Sequence, residues 1–167
     1  MNKLEKKIET FANVAIIVTA LLCVGFGIYT FFPREMKTAE LSAQLKGGDK
    51  FSLSGIDWAK NKQTLVLLLQ KGCHFCEESY PFYQRLIKTD TAKAKLVAVL
   101  PTPVEESQAY LKSFGVGSLE IRQTEIKNLG IRGTPTLVLV DEQGSIVDMW
   151  IGKLKPEDEE KVLEKIS

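Results

Sequence analysis

Lys71-Gly72-Cys73-His74-Phe75-Cys76 follows the apolar run 65–69 and precedes a stretch whose apolar residues are spaced as on a helix. Cys73 then stands at a helix N-terminus, where N–H groups without intrahelical partners and the helix dipole favour an anion. A thiolate is such an anion, and it is both the nucleophile of disulfide exchange and the form that binds metals. Cys73 and Cys76 are the candidate reactive pair, and the motif alone leaves a redox dithiol and a soft-metal clip both open.

The chain has 167 residues, room for one domain once an N-terminal segment is set aside. Its 22 Lys and Arg against 21 Asp and Glu give a formal charge of +1, and no basic block is interleaved with aromatics, which excludes nucleic acid as a partner. Three cysteines are too few for a disulfide scaffold. The one histidine, His74, lies inside the motif. That excludes a multi-histidine metal site within one chain, and any triad that does not use His74.

Upstream, no residue from Thr10 to Pro33 is charged, and residues 14–32 are rich in Ala, Val, Ile, Leu and Phe. At ~1.5 Å per residue, about 20 residues cover a ~30 Å hydrocarbon core. The pattern predicts one transmembrane helix, with residues 13–32 in contact with the lipid bilayer. Tyr29, Phe31 and Phe32 fall where an interfacial aromatic belt sits, and Pro33-Arg34 ends the span. A cleaved signal would have a shorter apolar core, whereas here the run continues past the weak small-x-small site Gly25-Phe26-Gly27. Leu22 before Cys23 argues against lipid attachment, which leaves Cys23 as a small apolar residue of the helix. Lys3, Lys6 and Lys7 nearly balance Arg34, Lys37 and Lys46, so charge does not decide orientation.

The resulting division is a tail and anchor over 1–33, a polar tether over 34–50 with a short helix near 39–45, and a domain over 51–167. Within the domain, 51–53 alternates like a strand and Ser54-Gly55 reads as a turn. Trp58 is assigned to packing at the domain's edge. Residues 64–70 and 95–100 read as strands buried on both faces, and the helix after Cys73 carries Tyr80, Phe82, Tyr83 and Leu86 with a kink at Pro81. Thr102-Pro103-Val104-Glu105 reads as an N-cap, a proline at the first helical position and an acid at the third, opening a helix that Gly115 ends. A short strand over 118–121, a short helix over 124–129 closed by Gly130, a strand over 136–140, a turn at Asp141 to Gly144, a returning strand over 145–151 and a helix over 156–166 complete the order. Buried strands joined through helices imply a parallel unit, and the hairpin adds antiparallel members.

Cys73-x-x-Cys76 after a buried strand, Pro81 five residues past the second cysteine, and Gly133-Thr134-Pro135-Thr136 feeding an apolar strand together resemble the thioredoxin superfamily. The resemblance spans roughly residues 63–167. With a membrane helix in front, the chain is similar to the tethered TlpA/ResA-like thiol-disulfide proteins of bacterial envelopes. This implies an α/β, thioredoxin-like mixed β-sheet flanked by helices and preceded by one N-terminal transmembrane helix, with the N-terminus cytoplasmic and the domain extracytoplasmic. It further implies Cys73 as the attacking thiol, Cys76 as the buried resolving thiol, and a cis Pro135 that brings the Thr134 backbone against a substrate peptide. Thr134, Pro135, His74 and Phe75 are the candidate substrate-binding residues. Two positions depart from the pattern: Gly72 stands where an aromatic residue usually precedes the first cysteine, and Leu67 stands where thioredoxins place a buried acid. Without that acid, proton transfer at Cys76 must use another group, such as Glu77, Glu78 or water, or be slow.

The leading expectation is a membrane-tethered thiol-disulfide oxidoreductase working as a reductant. Its partners are disulfide-bearing protein substrates and a membrane or soluble electron donor, and it needs no cofactor and no bound metal. Two other readings stay open. Cys73, Cys76 and His74 would serve as soft-metal ligands, for Cu(I) as an example. Alternatively, the pair is inert in a redox-inactive thioredoxin-like interaction module, although a bridge closing so short a loop stabilises little.

Overall fold

The computed structural model describes residues 15–23, 45–89 and 93–167. The chain divides into two units, Met1–Ala43 and Gln44–Ser167. In the first, residues 15–23 are helical, with Ile16, Ile17, Val18, Leu21 and Leu22 exposed and Thr19 Oγ1 donating to the Ala15 carbonyl at 2.8 Å. Among the described residues no helix is long and apolar enough to cross a membrane. The rest of the span expected over 13–32, and residues 39–44 of the helix expected near 39–45, lie outside the described residues.

The second unit carries, in chain order, β1 (Gln63–Leu68), α1 (His74–Glu78), α2 (Tyr80–Lys88), β2 (Ala94–Leu100), α3 (Val104–Ser113), β3 (Glu120–Gln123), β4 (Thr136–Asp141), β5 (Ile146–Ile151) and α4 (Pro156–Ile166). Its strands form one sheet in the order β3-β2-β1-β4-β5. β1 runs parallel to β2, and β2 parallel to β3, while β4 is antiparallel to both β1 and β5. Because strand side chains alternate between faces, each apolar run feeds two cores. Leu65, Leu67, Leu69, Ala98, Leu100, Leu137 and Leu139 face one side, and Val66, Leu68, Val99, Val138 and Val140 the other. The first face is covered by Tyr83 and Leu86 of α2, Leu111 of α3, and Val162 and Ile166 of α4. Among the described residues the second is closed without an α-helix, by Phe51, Leu53 and Trp58, by Leu129 at the end of the 3-10 turn Ile126–Leu129, and by Ile131 beyond it.

Four local expectations are corrected. Residues 51–53 form no strand: Lys50 makes a single bridge to Ser145, Phe51 N–H donates to the Gly144 carbonyl at 2.9 Å, and the chain then leaves the sheet edge. Phe51 and Leu53 are buried and Ser52 exposed, so the alternation reflects burial without pairing. The third strand lies over Glu120–Gln123, two residues later than expected, where Val97 to Leu100 supply its parallel partners. The helix after Cys73 is broken at Ser79 into two, with Pro81 in the first turn of the second. Finally, α3 begins at Val104 with Pro103 as its N-cap residue, and Thr102 does not cap it. The Thr102 hydroxyl is instead 2.7 Å from Ser107 Oγ, and Ser107 N–H donates to the Pro103 carbonyl at 2.9 Å.

The hairpin between β4 and β5 ties residues 48–58 of the same unit to the sheet. Asp141 Oδ1 accepts from the N–H groups of Gln143 and Ser145, at 3.0 and 2.8 Å. Gly144 then passes under Trp58, whose ring meets Phe51 edge-on at 6.2 Å. A Cβ on Gly144 would lie 2.9 Å from Trp58 Cδ1, on a backbone with φ of +76°. Gly144→Ala should therefore lower stability by at least ~1 kcal/mol, read as a fall in the urea midpoint at unchanged slope. Gly47→Ala, where the nearest atom is 3.9 Å away, should be near neutral, and equal midpoints for the two variants would contradict this packing.

Candidate functional site

The antiparallel register pairs Leu68 with Thr136, so the end of β1 and the start of β4 leave the sheet at the same place. The topology thus brings the Cys73 turn and the Thr134-Pro135 loop together although they are far apart in the chain. The Thr134-Pro135 peptide is cis, as the family resemblance implies. Two bonds hold its loop: Thr136 Oγ1 donates to the Gly133 carbonyl at 2.8 Å, and Gly152 N–H, just past β5, donates to the Pro135 carbonyl at 2.7 Å.

After β1 the chain turns through Lys71-Gly72, and Cys73 is the N-cap residue of α1, in extended backbone conformation. Its sulfur accepts the Cys76 N–H at 3.3 Å, and its thiol faces the Thr134 carbonyl at 3.4 Å. Cys73 is partly exposed and Cys76 buried, both as free thiols. The two sulfurs are made chemically unequal. Burial works to raise the Cys73 thiol, but hydrogen bonds from the Cys76 thiol, the Thr134 side chain and the N–H groups of Cys76 and Phe75 outweigh it and hold it below its ordinary value. Burial dominates at Cys76, and with the hydrogen bond it gives Cys73 it is pushed up to about 12.

Phe75 is 56% exposed and His74 lies beside it, ring centroids 5.6 Å apart. His74 does not reach the Cys73 sulfur; its Nε2 is 3.2 Å from Glu78 Oε1. Glu78 Oε2 also takes a hydrogen bond from Lys153 Nζ at 2.9 Å, and this bond holds the carboxyl below its usual range. The soft-metal set of Cys73, Cys76 and His74 is therefore not gathered, and among the described residues no group of three or more His, Cys, Asp or Glu side chains is placed to hold a metal ion. Beside Thr134 lies a cleft of about 280 Å³ lined by Gln70, Pro101, Ile126, Ile131 and Arg132 among others.

Residues 58–167 match the family model for the thioredoxin-like domain. The chain belongs to the thioredoxin-like family. It is 26% identical to the thioredoxin-like protein YneN of Bacillus subtilis (strain 168), covering 84% of this chain and 88% of that one. It is 24% identical to the thiol-disulfide oxidoreductase ResA of Bacillus thuringiensis (strain Al Hakam), over 97% of this chain and 99% of the relative. Its fold is shared with the thioredoxin domain of a thiol-disulfide oxidoreductase from Bacteroides vulgatus, at a TM-score of 0.56 and 20% identity, over 74% of this chain and all (100%) of that one.

Both departures from the thioredoxin-like pattern have a structural counterpart. Gly72 has φ of +72° with open space around it, so the backbone, not crowding, selects glycine there. Its N–H donates to the Tyr110 hydroxyl at 3.3 Å. Leu67 is buried between Ala98 and Leu137, its neighbours on the adjacent strands, which leaves an apolar floor where the acid would stand. Sequence reasoning missed two residues that bear on the dithiol: Lys153, which fixes Glu78, and Tyr110, which donates to Glu77 Oε1 at 3.2 Å. Nothing local marks either, since both act across the fold.

Two outcomes are expected. At pH 7 a thiol with a pKa of about 12 is ionised to about one part in 10⁵. Iodoacetamide should therefore label Cys73 of the reduced protein and leave Cys76 unlabelled, with Cys73 labelling levelling off at a lower pH than that of free cysteine. Parallel labelling of both by peptide mass mapping would contradict the asymmetry. Gly72→Trp should cost about 1–3 kcal/mol in denaturant titration, because an L-residue is strained at that φ.

Proposed function

We propose that this chain is a thiol-disulfide oxidoreductase that reduces disulfides in protein substrates, with Cys73 as attacking thiol and Cys76 as resolving thiol. The observation that carries the reading is the inequality of the two sulfurs: one partly exposed and held toward thiolate by an N–H, the other buried and held protonated. Cys73 thiolate attacks a substrate disulfide to form a mixed disulfide. Cys76 then attacks the Cys73 sulfur, releasing the substrate thiol and leaving Cys73–Cys76 oxidised. An electron donor, membrane-bound or soluble, returns the pair to the dithiol.

Thr134 and Pro135 form the wall against which a substrate backbone lies, the cleft beside Thr134 receives its neighbouring residues, and the exposed ring of Phe75 with His74 forms the opposite lip. The reading is supported by relatives named as thiol-disulfide oxidoreductases. We further propose that residues 13–32 anchor the chain in a bilayer as part of an anchor over 1–33, with a tether from 34 and the 51–167 domain on the extracytoplasmic side. The uncharged stretch from Thr10 to Pro33 and the exposed apolar side chains of residues 15–23 support the anchor.

Cys73→Ser should abolish reduction of insulin and of dithionitrobenzoate, and Cys76→Ser should accumulate a mixed disulfide through Cys73, visible on a non-reducing gel. Full activity in the Cys73→Ser protein would overturn the assignment.

A further inference from the structure

The chain's entry into a helix is commonly fixed by two apolar side chains, one just before the N-cap and one at the fourth helical position, that pack against each other. Cys73 is the N-cap of α1, which places those positions at Gly72 and Glu77. Neither residue can make the contact, since one has no side chain and the other ends in an exposed carboxylate. Packing does not hold Gly72 either. It stands in the turn that Cys73 N–H closes onto the Gln70 carbonyl at 3.2 Å, with nothing within 4 Å of the place a Cβ would take. The Tyr110 hydroxyl, from α3, reaches both positions: it accepts from Gly72 N–H at 3.3 Å and donates to Glu77 Oε1 at 3.2 Å. That oxygen is itself held in place. The Tyr110 ring meets Tyr80 edge-on at 6.3 Å between centroids and Phe114 at 5.1 Å, and Phe114 stacks on Tyr80 at 4.1 Å. Lys71, in the same turn, pairs with Glu106 of α3 at 2.7 Å.

Resting on the exchange reading above, we propose that Tyr110 is the positioning residue of the attacking thiol: its hydroxyl ties the two ends of the first turn of α1 where no apolar pair exists, and so keeps the Cys73 sulfur at the Cys76 N–H. Neither of its bonds touches a sulfur, and its action on Cys73 is through geometry. Without the hydroxyl, Gly72 N–H and the Glu77 carboxylate pair with water, and the turn that presents Cys73 loses this tie to α3. The 3.3 Å bond from Cys76 N–H to the Cys73 sulfur is then made less of the time. Because that bond favours the charged form, its loss moves thiolate formation at Cys73 to higher pH. Around the Tyr110 hydroxyl the titratable and charged groups are Glu77 of α1, Tyr80 of α2 and Lys71. Those around Cys73 are Cys76 of α1 and Tyr83 of α2.

The pH profile of Cys73 alkylation by iodoacetamide is the test, measured on the reduced full-length chain carrying Cys23→Ser and read on the Cys73 peptide by mass mapping, so that the exposed Cys23 thiol does not contribute. Tyr110→Phe keeps the ring and should raise the midpoint by about 0.5–1 pH unit, the size of one hydrogen bond's net contribution. A role confined to stability would move the urea midpoint and leave this profile where it was. Tyr80→Phe removes a hydroxyl from the same ring cluster that makes no bond to the turn, and should leave the profile unchanged. In a Glu77→Gln chain, whose amide oxygen still accepts from Tyr110, Tyr110→Phe should shift the midpoint by the same amount. An unmoved midpoint in Tyr110→Phe, an equal shift in Tyr80→Phe, or a shift that vanishes in the Glu77→Gln chain overturns the positioning role; the last would trace the effect to the Glu77 charge. The profile is measured without a disulfide substrate. Insulin reduction by the unmodified chain therefore reports the exchange reading separately, and its absence beside a shifted profile would refute that reading and leave the positioning role standing.

Discussion

The hydrogen bond from the Cys76 amide to the Cys73 sulfur, 3.3 Å long, is the contact on which the rest of the site depends. It exists because β1 ends at a point where the chain can turn through a positive φ at Gly72 and deliver Cys73 in extended conformation as an N-cap. An N-cap side chain ordinarily supplies an oxygen to the orphan N–H groups. Here a sulfur does so, and the same geometry that satisfies the helix stabilises the thiolate. The helix itself has five residues, His74–Glu78, before Ser79 interrupts it, so nearby N–H groups rather than a long macrodipole act on Cys73.

The inequality of the thiols is in turn a product of sheet packing. Cys76 points into the core that Leu65, Leu67, Leu69, Leu137 and Leu139 floor, and its burial follows from the alternation of those strands. Cys73 faces the opposite loop because β4 is antiparallel to β1 and adjacent to it. The hydrogen bond from Gly152 to the Pro135 carbonyl then couples the loop to the end of β5, so the edge hairpin helps position the wall of the site. On the other sheet face the closure by Phe51, Leu53 and Trp58 depends on Gly144 lying close beneath the indole.

Much of this was legible from residue order. Runs of consecutive apolar residues mark strands buried on both faces, and the strands expected over 64–70, 95–100 and 136–140 stand at the centre of the sheet as Gln63–Leu68, Ala94–Leu100 and Thr136–Asp141, the first ending two residues earlier than expected. Gly130 and Gly115 close their segments with positive φ, and the helix expected over 156–166 has those bounds. Where sequence reasoning failed, a tertiary partner overrode a local signal. Thr102 has the chemistry of an N-cap, but Ser107, buried behind it, captures its hydroxyl. Residues 51–53 alternate, yet the edge they approach is used only at Lys50. The contacts of Tyr110 and Lys153 were invisible because each reaches a residue flanking the dithiol, Gly72 or Glu78, from elsewhere in the chain.

Burial, which pushes the Cys76 thiol up to about 12, sets how much the loss of its proton matters. So high a pKa lowers the thiolate fraction at neutral pH by more than the accompanying rise in the intrinsic nucleophilicity of that thiolate restores, because the Brønsted slope is only about 0.4–0.5. The handicap falls on Cys76 and not on Cys73. Holding the two sulfurs in one turn offsets it through proximity, but proximity does not move a proton. On the Leu67 side the wall is apolar and offers no acceptor. Glu78 is occupied by Lys153 and His74. Replacing a buried acid by leucine therefore keeps the floor apolar and the core close-packed, and leaves the sheet without a group that could take the Cys76 proton.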